Sequence, residues 1–306
     1  MRLPSRFITF TLVIMLLAVV FSSAAGQNPG SITVKKLDTS AYPLISATFT
    51  ALDPSGGFVK DLKTGELWLS ENSAAVTSYT LEMEQVGVRF FVAINEGPTL
   101  DNRFSGVMRI DRIKTALFNW VAAQPAPALD EFHLVVNEGA LQFNPLEPSS
   151  WYAALDHYQP DLKTATPGMA SLSAAVDNAL NNSLQSPKAT ALLFITPLPT
   201  EVQLAAMQEI IARAKSNNLH IFIWLIGPQD YGGSDTAVQL ERIARDTGGQ
   251  FIIFSGAEEL PAIADMLDPF EYVYHLSYKT ANNISGEYSL VLEIKRGELV
   301  LASEPV

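Results

Sequence analysis

The stretch "LHIFIWLIGPQDYGGSDTAVQLERIARDTGGQFIIFSGAEELPAIADML", residues 219–267, decides the fold. It begins with a continuous apolar run, and an amphipathic segment follows that Gly248 stops. A second apolar run and a second helical segment then repeat the order. Continuous apolar runs are expected of strands that are covered on both faces, and intervening helices supply that cover. This alternation predicts parallel strands joined by helices.

The same alternation extends back along the chain to about residue 89. The other predicted strands are the runs "RFFVAI", "FHLVVN", "ALQFNPL" and "TALLFIT". The other predicted helices, which have apolar residues at helical spacing, are residues 104–120, "SWYAALDHY", "SLSAAVDNALNNSL" and "EVQLAAMQEIIARAKSNN". Residues 89–268 are therefore predicted to form a doubly wound, mostly parallel α/β sheet with helices on both faces.

Two segments with the period of β-strands flank this unit. Residues 27–88 contain short alternating runs, "FVKDL" among them, and residues 269–306 return to the same pattern. The C-terminal strands need a partner sheet, and the N-terminal β segment is the nearest one. The predicted fold class is thus α/β, flanked on each side by an antiparallel β-sandwich-like segment, with the C-terminal strands completing the N-terminal β domain. A separate, incomplete third domain is the alternative.

The first 25 residues have the pattern of an export signal. Arg2 and Arg6 precede an apolar run, Phe7 to Phe21, of about 15 residues, which is short for a membrane span of about 20. Small residues then suit cleavage before Gly26. We expect a secreted, cell-surface or periplasmic protein, of bacterial origin because it lacks cysteine. Membrane tethering would require an uncleaved N-terminus or a further C-terminal region.

Composition and motifs exclude several classes of function. The net charge of −12, near −14 once Arg2 and Arg6 are removed, argues against nucleic-acid binding. The absence of cysteine excludes disulfides and thiolate chemistry. The four histidines are scattered, and there is no nucleophile elbow. Glu258 follows Ser255 at the spacing of a capping box, which favours a structural role. We therefore expect no catalytic residues and no cofactor.

Residues 88–268 resemble a von Willebrand factor type A domain. The stretch quoted first is similar to that family in its order of strand, "IG" turn, helix ending in "TGG", strand and "AEEL" helix. "DEFHLVVNEGALQFNPLEPSSWYAALDHY" resembles the family's strand pair and short helix. The resemblance implies a divalent cation at the carboxyl ends of the strands, held by an Asp-x-Ser-x-Ser loop, a Thr and an Asp. A carboxylate of a partner usually completes that coordination.

This chain departs from the family's metal-binding pattern. Asn95 stands in place of the first Asp, Gly97 in place of the first Ser, and Thr99 in place of the second. Ala170 stands in place of the Thr of the second loop, and Pro197 in place of the Asp of the third. Hard divalent ions need charged oxygen ligands to compensate for lost water, and no carboxylate remains at these positions. We predict that no metal binds.

The same residues mark a candidate binding face for an unknown protein partner. Its members are Asn95, Glu96, Gly97, Thr99, Ala170, Thr196 and Pro197. The predicted function is that of an exported, non-enzymatic protein-binding or adhesion module. One alternative is metal-dependent adhesion, in which Asn95, Thr99 and a displaced carboxylate such as Glu96 or Asp101 hold a Mg²⁺ or Ca²⁺ ion in a weak, non-standard site. Against it, a carboxylate one residue further along a strand end points to the other face. A structural spacer in a larger surface protein is another alternative.

Overall fold

A computed structural model describes residues 30–136, 147–181, 188–200, 204–281 and 289–306. The predicted signal peptide and the predicted strand "ALQFNPL" lie outside these ranges. The strands are β1 Ser31–Asp38, β2 Leu44–Leu52, β3 Leu67–Glu71, β4 Ala74–Val76, β5 Tyr79–Gln85, β6 Val88–Ile94, β7 Arg103–Phe104, β8 Val107–Met108, β9 Glu131–Val136, β10 Ala189–Pro197, β11 Leu219–Ile226, β12 Phe251–Phe254, β13 Tyr272–Lys279, β14 Leu290–Arg296 and β15 Leu299–Ala302. The α-helices are α1 Arg109–Ala122, α2 Pro148–His157, α3 Ala170–Asn181, α4 Leu204–Ser216, α5 Asp235–Asp246 and α6 Ile263–Leu267.

The central sheet has five described strands, all parallel, in the order β12-β11-β10-β6-β9. Every residue of β6 and β10 is buried, as their continuous apolar sequences predict. Counted along the chain, the order is 2-1-3-4-5, one of the common doubly wound arrangements. The chain reverses its direction of winding between β6 and β10, so the topological switch point lies at the carboxyl ends of these two strands.

Alternate residues of β6 enter two different cores. Phe90 and Val92 pack in the core formed with α1, α2 and α6, whereas Phe91 and Ala93 pack in the core formed with α3, α4 and α5. Helices therefore cover both faces of the sheet. The alternation also fixes where the residues after the strand point, because successive side chains of an extended chain face opposite ways.

Two four-stranded antiparallel sheets flank the parallel sheet. Their orders are β1-β2-β13-β5 and β15-β14-β3-β4. Strands after the α/β unit pair with strands before it: β13 pairs with β2 and β5, and β14 with β3. In the core that the two sheets share, Tyr274 of β13 stacks on Phe49, its cross-strand neighbour in β2, at 5.3 Å, and the Tyr274 hydroxyl donates to the carbonyl of Val59 at 2.7 Å. The predicted fold class is confirmed.

Some predicted elements differ from those observed. The helix predicted over residues 104–120 begins only at Arg109, because Ser105 and Gly106 take positive φ angles of 52° and 84° and make a hairpin turn between β7 and β8. The predicted strand "FVKDL" is wrong, since only Phe58 makes a bridge there, to Leu52. Within the described ranges, no helix combines the length and apolar character needed to cross a bilayer.

Candidate functional site

Three segments meet at the topological switch point, and we call them together the rim: residues 95–101, 166–171 and 196–200. The ladder between β6 and β10 continues into the rim, because the Asn95 N–H donates to the Ile195 carbonyl at 2.8 Å. In open α/β sheets, ligands bind in the crevice outside the carboxyl ends of the strands at such a switch point. The rim also contains all seven predicted site residues.

The Asn95 side chain links the three segments of the rim. Its Nδ2 donates to the Gly168 carbonyl at 2.7 Å and to Thr196 Oγ1 at 2.8 Å. Thr196 Oγ1 in turn donates to the Pro197 carbonyl at 2.6 Å. Asn95 is 2% exposed and Thr196 is fully buried. The amide thus binds the end of β6 to the end of β10 and to the loop before α3, away from water.

Proline rings fill the space beside Gly97. A Cβ atom added to Gly97 would lie 2.6 Å from Cγ of Pro167 and 3.0 Å from Cγ of Pro197. Both distances are shorter than ordinary carbon contacts, so no larger residue fits here without displacing a ring. The Pro167 carbonyl accepts a hydrogen bond from the Thr200 N–H at 3.2 Å, which holds the first of these rings in place.

Thr99 and Arg109 join the first rim segment to the neighbouring strands. Thr99 Oγ1 donates to the Ile226 carbonyl, at the end of β11, at 3.0 Å. The buried Arg109 guanidinium donates to the Thr99 carbonyl at 3.1 Å and to the Ser255 carbonyl, after β12, at 2.7 Å. No sequence signal marked Arg109, since both of its acceptors are backbone atoms on other segments.

Glu96 lies on the opposite face of the sheet from Asn95. It is 5% exposed, and its Oε1 accepts a hydrogen bond from the Tyr158 hydroxyl at 2.6 Å, just after α2. Ala170 is exposed at the first position of α3. The next residue, Ser171, is buried, and its Oγ has no hydrogen-bond partner among the described residues.

The rim does not fit the oxygen-rich cation site that the resemblance implies. Asn95 presents an amide nitrogen to its neighbours, the Thr99 hydroxyl bonds to a backbone carbonyl, and proline carbons occupy the space beside Gly97. Ser171 Oγ is a single neutral oxygen. Throughout the part of the chain that the structure describes, no three His, Cys, Asp or Glu side chains cluster so that they could hold a metal ion.

The Ser255–Glu258 pair predicted from its spacing is present. Ser255 donates to the Glu258 carboxylate from its N–H at 2.8 Å and from its Oγ at 2.9 Å. Burial acts to raise the pKa of Glu258, but hydrogen bonds from its own backbone, from Ser255 and from Gln229 together lower it to about 2. The pair closes a turn rather than a helix, because α6 begins only at Ile263. The hydrogen bonds expected from the spacing are present, but the "AEEL" helix that they were expected to cap is not.

No protein-family model and no curated protein matches the chain. Among solved structures, it is similar to an aerotolerance-related membrane protein from Bacteroides fragilis, with 15% identity, a TM-score of 0.43, and coverage of 56% of this chain and 92% of the other. It is similar to proximal thread matrix protein 1 from the mussel byssus, which has a zinc-occupied MIDAS motif, with 12% identity, a TM-score of 0.44, and coverage of 66% and 50%. It is also similar to the manganese-loaded Plasmodium vivax TRAP protein, with 11% identity, a TM-score of 0.42, and coverage of 74% of this chain and 96% of the other.

The class of fold follows from the topology itself. A doubly wound parallel sheet, with helices on both faces and antiparallel sheets beside it, is consistent with a von Willebrand factor type A or Rossmann-like fold.

Proposed function

We propose that the chain is an exported protein-binding module of the von Willebrand factor type A kind, which engages its partner through the rim without a bridging metal ion. We base this on one observation: at the switch point, Asn95 and Thr196 are neutral and bonded to each other, and Pro167 and Pro197 close over Gly97. Removing water from a divalent ion costs free energy, and no described carboxylate lies beside Asn95 and Thr196 to compensate for it, because Glu96 bonds to Tyr158 on the opposite face. The export pattern of residues 1–25 adds the location.

The exposed part of the rim suits contact by shape and neutral groups. Pro98, Thr166, Ala170 and Thr200 are exposed, whereas Asn95, Glu96 and Thr196 are buried and serve the scaffold. Beside them lies a cleft of about 340 Å³. Its described lining is uncharged: Thr166, Pro167, Gly168, Met169, Thr200, Ala206, Met207 and Ile210. Such a surface favours a partner that offers apolar and uncharged polar groups.

A site-specific photo-crosslinking experiment tests this function. A photoreactive residue is introduced at Thr200, on the rim, and as a matched control at Ser216, which is exposed at the end of α4 near the opposite end of the sheet. Each protein is expressed in its native host and irradiated with and without EDTA. We expect one discrete partner to be captured from the Thr200 position alone, with equal yield in EDTA.

The other outcomes are equally informative. Loss of the crosslink in EDTA would favour the metal-dependent alternative, in which Glu96 or Asp101 supplies the carboxylate. Equal and diffuse crosslinking at Thr200 and Ser216 would favour the structural spacer. Either result would contradict the proposed binding rim.

A further inference from the structure

We infer that the Asn95 side-chain amide holds the three loops of the rim in one fixed conformation. In this it takes the structural role that a bound ion has in the family this chain resembles. Divalent ions would then neither create nor alter that conformation. The rim would have it whichever partner binds, so a failure of this inference is separable from a failure of the proposed function.

The Asn95 amide joins the same number of loops as a bound ion would, but it does so by donating hydrogen bonds. An ion joins loops by accepting electron pairs from an oxygen of each loop. Here one nitrogen carries two N–H donors, and both are used: one on the Gly168 carbonyl and one on Thr196 Oγ1. The two acceptors belong to different rim segments, and the donor belongs to the third. Because Asn95 is 2% exposed, water cannot replace either bond cheaply.

A carboxylate could not take the same place. Asp at position 95 would offer only acceptors, and one of them would face the Gly168 carbonyl without a proton between the two oxygens. Nor would an ion readily enter to bridge them. Gly97 provides no oxygen side chain, and the rings of Pro167 and Pro197 already lie within contact distance of a Cβ at that position. The single change Asn95→Asp therefore breaks the link without restoring a metal site.

Hydrogen exchange on Asn95→Asp tests the inference, with Asn178→Asp as the matched control. Asn178 lies in α3 and donates one hydrogen bond to the Ala174 carbonyl, so its substitution makes the same chemical change away from the rim. For Asn95→Asp we expect amide exchange at least about tenfold faster in both described segments, residues 166–171 and 196–200, and unchanged by millimolar Mg²⁺ or Mn²⁺. Asn178→Asp should leave both segments protected. Unchanged exchange in Asn95→Asp, or protection restored by either ion, would overturn the inference.

A second measurement decides the matter if Asn95→Asp does not fold. The changes Asn95→Ala and Thr196→Val are made singly and together, and the three melting temperatures are compared with that of the parent. If the amide links these segments, the shift in the double variant should be clearly smaller than the sum of the single shifts, because both changes remove the same bond. Additive shifts would show that the two residues act separately, which overturns the inference.

Discussion

Asn95 and Glu96 are adjacent in the chain, but they bond on opposite faces of the parallel sheet. Asn95 reaches Gly168, 73 residues away, and Glu96 reaches Tyr158, 62 residues away. By charge alone Glu96 is the better cation ligand, but the alternation of the extended chain turns it away from Asn95 and Thr196. That alternation can be read from sequence. The bonding partners could not be predicted, because they lie on distant loops without a repeating pattern.

The surroundings of His220 couple the stability of the protein to pH. Its ring lies 4.1 Å from that of Phe270, and Nδ1 lies 3.1 Å from the Thr247 carbonyl. Burial, assisted by the charge of Lys35, lowers the pKa of His220 to about 4, and the hydrogen bond to Thr247 opposes this only weakly. Burial also lowers the pKa of Lys35, to about 8, so Lys35 is still charged at neutral pH.

The sign of the resulting pH dependence follows from linkage. The unfolded histidine titrates near 6.5, above the folded value, so the unfolded state binds the proton first as the pH falls. We therefore predict that neutral His220 contributes roughly 3 kcal/mol to the free energy of unfolding. This contribution is complete above about pH 6.5 and is lost as the pH falls through 4. Urea unfolding of the parent and of His220→Gln between pH 4 and 7 measures it. Parallel curves for the two proteins would contradict the prediction.

Ser171→Ala should stabilise the protein. The Ser171 hydroxyl is buried without a described partner, so its removal relieves an unsatisfied polar group, worth about 1 kcal/mol or more. Ser173→Ala in the same helix is the control, because it carries the same helix-propensity gain of roughly 0.5 kcal/mol and is less buried. Urea unfolding should give the larger gain for Ser171→Ala. A loss of stability would mean that Ser171 has a partner after all.

At the scale of elements, continuous apolar runs were the most informative sequence signal. These runs located β6, β10, β11 and β12 correctly, because a strand that is packed on both faces has apolar residues at successive positions and no polar–apolar alternation. Periodicity failed at residues 104–108, where Phe104 and Val107 kept a helical spacing by coincidence. Those two side chains are exposed on a hairpin, so they bury no apolar helix face against a core.

The turn of that hairpin should depend on the backbone of Gly106. Its φ angle of +84° is one that side-chain-bearing residues rarely adopt, although no atom lies within 4 Å of an added Cβ. Gly106→Ala should therefore cost about 1 kcal/mol of stability through the backbone alone. Gly65 is the matched control, because it is equally open and has no positive φ, so Gly65→Ala should be neutral or slightly stabilising. Equal effects in chemical denaturation would refute this account of the turn.

At the scale of the whole molecule, the rim lies at the carboxyl end of a rigid sheet. The two cores that clamp β6 and β10 are formed mainly by strand and helix side chains, and Leu100 is the rim residue that is fully buried in one of them, so the polar chemistry of the rim can change while the fold persists. The antiparallel sheets pair strands that precede the α/β unit with strands that follow it. The fold class was therefore predictable from pattern. The chemistry of the rim depends on which atoms occupy it in three dimensions. The sequence indicated only that the family's metal-ligand side chains are absent there.

The melting temperature of metal-stripped protein, with and without millimolar Mg²⁺, Mn²⁺ or Ca²⁺, tests the central claim most directly. An ion at about 100 times its dissociation constant would add about 2.7 kcal/mol to the free energy of unfolding. The account predicts the same melting temperature in EDTA and in each ion, because the rim offers neutral groups and proline carbons where an ion would need carboxylates. A rise that appears with an ion and disappears in Asn95→Ala would contradict it.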